Sequence, residues 1–183
     1  MNEKVAASLL FGDKLKSIRG IELLEDLCQI STTAIQSYID LINSLEYSDL
    51  FESRRGCSLI ATEGDFLNPT AIAEWTKSDI VFANSTCFDA ELMQLIATHA
   101  TCMSHGSRFI TFTSQLPSDA FTVREKINLG MSWGVATCYI HIRYTLFFLF
   151  WPSKTNEISN PALQEVITIF PANTVSTFSL RRS

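Results

Sequence analysis

Three polar residues stand where apolar stretches of the chain stop. Glu22 closes "KSIRGIE", Asp65 follows Gly64 in "EGDFLN", and Asn84 closes "DIVFAN". An acidic side chain at the end of a strand is placed to accept both hydroxyls of a ribose, although a helix cap or a solvated acid would use the same position. Asp65 could accept a hydrogen bond from an exocyclic amine while Phe66 stacks on a purine; Gly-Asp equally favours an ordinary turn. The carbonyl of Asn84 can hold a neutral amine while its NH2 group points elsewhere. Four residues on, Phe88 offers a ring for a methylated or methyl-accepting nitrogen, a contact worth roughly 0.5–2 kcal/mol. The competing reading of Asn84-Ser85-Thr86 is a cap on the helix that begins near Asp89.

Other chemistries are less well served. "HATCMSH" spaces His99, Cys102 and His105 three apart, and all three side chains can bind metals. Residues at i, i+3 and i+6 drift around a helix, and a fourth ligand is lacking, so a helix end before Gly106 is the expectation and no metal is expected. The sequence offers no Ser-His-Asp set and no paired carboxylates.

The elements that must position these residues follow from hydrophobic periodicity. Helical spacing marks 4–11, 24–45 (Leu24, Leu27, Ile30, Ala34, Ile35, Tyr38, Ile39, Ile42), 69–77 and 89–103. Strand patterns mark 16–22, 57–63, 79–83, 107–113, 120–127 and 134–142. Alternating strands and helices, with nearly continuous apolar strands, predict an α/β fold: a mostly parallel sheet covered on both faces. The last two strands have no helix between them and predict an antiparallel edge hairpin. In such sheets ligands bind beyond the carboxyl ends of the strands, so the residues at those ends carry most of the information.

Composition narrows the options further. The 183 residues fit one domain, and 46% hydrophobic with 18% charged residues argues for a folded core. A net charge of −5 gives no electrostatic footprint for wrapping nucleic acid unaided. The five cysteines form no CxxC pair and are expected as reduced, buried thiols. "YTLFFLFW", residues 144 to 151, is far short of the roughly 20 apolar residues that span a bilayer. The N-terminus does not read as a secretory signal, so a soluble chain is expected.

Taken together, "RGIELLEDL", "EGDFLN", "DIVFANSTCF", "RFITFTSQLPS" and "MSWGVATCYIH" resemble the catalytic core of the disruptor-of-telomeric-silencing family. These are non-SET histone-lysine methyltransferases. The resemblance implies a Rossmann-like class I methyltransferase fold, S-adenosyl-L-methionine as cofactor, histone H3 in nucleosomes as partner and a nuclear location. It implies that Glu22 holds the ribose hydroxyls, that Asp65 and Phe66 bind adenine, and that Asn84 sits by the methyl donor and the incoming lysine. Phe88, Trp133 and Tyr139 resemble the aromatic lining of the lysine channel. Such a channel disfavours the charged ammonium and lowers the lysine pKa.

The sequence departs from the family pattern at both ends. The family's first strand and its glycine-rich D-x-G-x-G-x turn are absent, and the chain opens on what resembles the following helix. An N-terminally truncated fragment or a shortened relative is therefore expected, with residues 1–143 as a partial catalytic domain. Residues 144–183 match nothing in the family and are expected to be an extension. Contact with DNA is expected only through missing segments or a partner. The alternatives are a methyltransferase for another amine and a non-catalytic interaction module that keeps a degenerate methyltransferase fold.

Overall fold

The computed structural model describes residues 2–44, 52, 56–131, 134–144 and 176–182. The first helix, α1 (Glu3–Phe11), starts where the Asn2 side chain accepts from the Lys4 and Val5 amides. Strand β1 (Leu15–Glu22) leads to α2 (Glu25–Asn43), which carries Glu25 and Asp26 in its first turn, where the helix dipole favours acids. Strand β2 (Ser58–Glu63) is followed by α3 (Pro69–Trp75), which has Pro in its first turn and is capped by Asn68. Then come β3 (Ile80–Ala83), a 3-10 turn (Ser85–Cys87), α4 (Ala90–Ala100) and β4 (Arg108–Phe112). Strands β5 (Phe121–Met131) and β6 (Gly134–Arg143) form the expected hairpin, and β7 (Ser176–Arg182) is the last element.

The strands make one sheet in the order β2-β1-β7-β3-β4-β6-β5. Its core strands are apolar on both sides: β3 and β4 are buried nearly throughout. On one face Ala7 and Phe11 of α1 pack with Ile18, Phe82, Ile110, Phe112, Cys138 and Ile140. On the other, Trp75 of α3 and Met93, Ile96, Ala97 and Ala100 of α4 pack with Val81, Ala83 and Phe109. Strand β5 alternates between exposed and half-buried positions, as an edge strand does.

Two expectations need correction. The sheet is mixed and not mostly parallel: β1–β2 and β3–β4 are parallel, whereas β4–β6 and β5–β6 are antiparallel. The difference comes from β7, which lies antiparallel to both β1 and β3 in the middle of the sheet. It belongs to the stretch read from sequence as an extension; the apolar run of that stretch, from residue 145, lies outside the described residues. The second correction concerns α2. Its core face carries Cys28, Ser31, Ile35, Tyr38 and Ile42, while Leu24 and Ile30 are exposed. Buried Ser31 accepts from Asn2 Nδ2 at 2.7 Å and from Lys4 Nζ at 3.1 Å. Bonds to α1 thus settle the rotation of α2 in favour of a polar residue. No helix among the described residues is long and apolar enough to cross a membrane.

Candidate functional site

Strand register brings the polar strand ends to one edge of the sheet. Glu22 is paired with Glu63, directly before Gly64 and Asp65, and Ala83 is paired with Thr111 directly before Asn84. Thr111 is paired in turn with Tyr139. Between β1 and β3 lies only β7, so Glu22 and Asn84 are about two inter-strand spacings apart, on the order of 10 Å.

Glu22 is 3% exposed, and one carboxylate oxygen accepts from the Leu24 amide at 3.3 Å. The backbone carbonyl of Glu22 accepts from the Gly64 amide at 2.9 Å, which ties the ends of β1 and β2 together. Gly64 has φ +151°, a conformation that side chains rarely adopt. Exposed Asp65 turns inward on its own loop: Oδ1 accepts from the Leu67 amide at 2.8 Å, an Asx turn. The Phe66 carbonyl accepts from Trp75 Nε1 at 3.0 Å, anchoring this loop to α3. A cleft of about 350 Å³ runs beside the loop, lined by Arg19, Ile21, Thr62, Asp65, Asn68 and Glu74 among others.

Asn84 is 6% exposed, and its Oδ1 accepts from Thr86 Oγ1 at 2.6 Å. It caps no helix with its side chain; the cap of α4 is Asp89, whose Oδ1 accepts from the Leu92 amide at 2.8 Å. The capping alternative for Asn84 therefore falls. The next residue, which its neighbours mark only as part of a cap, has a different role. Ser85 is buried; its Oγ accepts from the Phe112 amide at 2.9 Å and donates to the Phe112 carbonyl at 2.8 Å. One hydroxyl so extends the β3–β4 ladder past its last backbone pair. Phe112 also begins a tight turn, with the Ser114 amide donating back to its carbonyl at 2.7 Å and Thr113 at φ 67°. A β-branched residue in that region is strained by roughly 1–3 kcal/mol and persists only where its surroundings hold it. Here the Thr113 amide donates to the Thr137 carbonyl at 2.8 Å.

The described aromatic residues expected at the site fall in two places. Phe66 and Phe88 stack on each other, with ring centroids 5.8 Å apart and planes 16° apart. The ring expected at adenine and the ring expected in the lysine channel thus share a face. Tyr139 is 8% exposed, beneath Lys126 Nζ at 5.5 Å from its ring centroid and beside His141. Trp133 lies outside the described residues. Buried His141 is held through both nitrogens: Nε2 accepts from the Leu116 amide at 3.0 Å, so Nδ1 donates to the Phe109 carbonyl at 2.9 Å. Burial lowers its pKa from the usual 6.5, against the opposing pull of the Phe109 bond. That makes it a structural residue linking β4, β6 and the loop before β5.

His99 lies in the last turn of α4 and Cys102 just beyond it. Among the described residues no three His, Cys, Asp or Glu side chains gather as metal ligands would. No curated protein matches the chain. The family model described as Histone methylation protein DOT1 matches residues 4–132, from α1 through the end of β5, and with most of its length so matched the chain belongs to the DOT1 family of histone methylation proteins.

Proposed function

We propose that this chain carries the core of an S-adenosyl-L-methionine-dependent histone-lysine N-methyltransferase, acting on histone H3 in nucleosomes and therefore in the nucleus. The observation that carries this reading is the gathering of Glu22, the Gly64-Asp65-Phe66 turn and Asn84 at one sheet edge in a DOT1 chain. Residues present there fit the cofactor. A buried carboxylate suits a ribose diol, and a polar loop with a half-buried ring suits adenine. Bound there, the cofactor supplies a methyl group already activated on a sulfonium. The chain's part is then positional: the Asn84 side-chain carbonyl holds a neutral lysine amine, and exclusion of water from that amine on burial beside Phe88 disfavours its charged form. With a net charge of −5, contact to nucleosomal DNA would come from basic segments elsewhere or from a partner.

Calorimetry with S-adenosyl-L-methionine and transfer of labelled methyl to nucleosomes test the proposal. Asn84→Ala should leave cofactor binding in place and slow transfer by about 100-fold or more. Undiminished transfer by that variant would sink the assignment. One observation favours a second reading, a non-catalytic module: β7 enters the sheet between the two halves of the site, where Ser176 pairs with Glu22 and Thr177 with Ala83. A folded chain that binds no cofactor would support that reading.

A further inference from the structure

Strands β1 and β3 run in the same direction but do not pair with each other; β7 pairs with both. Its ladder on β1 extends from Leu15↔Arg182 to Glu22↔Ser176, and its ladder on β3 from Ile80↔Leu180 to Ala83↔Thr177. Both flanking strands are deep in the molecule, with Ile18 and Val81 fully buried and Phe82 nearly so. Backbone N–H and C=O groups at such depth must be paired, and an empty slot would leave two facing rows of them orphaned. The family match ends at residue 132, well before β7.

We infer that the space between β1 and β3 is a strand-acceptor slot, filled in cis by Ser176–Arg182. Sequence outside the family match thereby acts as a clasp that joins the two halves of the sheet. Side-chain packing along α1 and α3 cannot replace it, because the groups left open are main-chain groups. The clasp also sets the separation of Glu22 from Asn84, since each stands at the end of a strand that β7 bridges. The clasp does not depend on methyl transfer.

Amide hydrogen exchange on the full chain is the test. In the unmodified protein, the β7 amides should open together with those of Ile18 and Phe82, with the same protection. Free exchange of β7 beside protected β1 and β3 would overturn the clasp. Ser179 pairs with Arg19 on one side and Val81 on the other, and proline there removes an N–H from the middle of the ladder. Ser179→Pro should speed exchange at both β1 and β3 by about 100-fold and lower Tm by on the order of 10 °C. Ser179→Ala should do neither. Loss of protection on one flank alone, or on neither, would refute the clasp. Sizing by light scattering should give a monomer; a dimer whose dilution frees the β7 amides would overturn filling in cis.

Discussion

The contact between α1 and β1 at Gly20 predicts a large cost for the smallest possible side chain. A Cβ built on Gly20 would overlap Lys4 Cε, with Nζ at 2.6 Å and Cδ at 2.9 Å. Lys4 has little room to yield: it is 2% exposed, and its ammonium donates to Ser31 Oγ at 3.1 Å. Forcing a methyl into packed surroundings costs about 1–3 kcal/mol. Displacing the ammonium from Ser31 costs about 1.5–3 kcal/mol for a charged hydrogen bond. One movement causes both losses, so they do not simply add, and Gly20→Ala should destabilise the protein by about 3 kcal/mol. Urea unfolding followed by circular dichroism measures this. The discriminating comparison is a double-mutant cycle with Lys4→Ala. Once the lysine side chain is gone, Gly20→Ala should cost less than about 1 kcal/mol, a coupling on the order of 2 kcal/mol. An equal cost in both backgrounds would refute the steric argument and place the role of Gly20 in its backbone alone. Gly20 and Glu22 point to the same face of β1, so Gly20→Ala should also weaken any ligand held by Glu22.

Ser85→Ala should destabilise the protein by about 1–3 kcal/mol, because it strips a partner from the buried Phe112 amide; faster hydrogen exchange at Phe112 is the direct readout, and unchanged exchange would remove Ser85 from the ladder. His141 is buried as the neutral base, with its pKa below the unfolded value of 6.5. The unfolded chain therefore binds the proton more readily, and the stabilisation from neutral His141 is complete above pH 6.5 and declines as pH falls through the folded pKa. His141→Gln should flatten that acid limb in chemical unfolding at a series of pH values; an unaltered slope would assign it to other groups. Native-state alkylation with iodoacetamide should modify exposed Cys87 and Cys102 and spare Cys28, Cys57 and Cys138. Cys138 is the extreme case, since burial, aided by Glu125, pushes its thiol up to about 12; peptide mass spectrometry reads the pattern, and early labelling of Cys138 would contradict the core packing.

Most of the element order was legible in the sequence because it rests on local chemistry. Asn2, Asn68 and Asp89 precede helices and cap them through their own side chains. The apolar runs of β3 and β4 are strands buried on both faces, and the polar residues that end the strands lie at one edge. Chain-local periodicity also marked the β5–β6 hairpin.

The remainder was decided between distant parts of the chain. Ile30 fits the helical period of α2 but faces outward, because Asn2 and Lys4 bind Ser31 from another helix. Ser85 reads as a capping residue from its neighbours, and only the approach of Phe112, 27 residues away, turns its hydroxyl into a rung of the sheet. Phe66 and Phe88 carry no local sign that they will stack on each other. The position of β7 is the largest such case: a strand pattern does not name its partners, and pairing is settled by which buried backbone groups would otherwise stay unsatisfied. By itself, the sequence determined which polar residues close the strands. The tertiary structure decided what holds them apart and together, because main-chain pairing at long range leaves no periodic trace in the residues it joins.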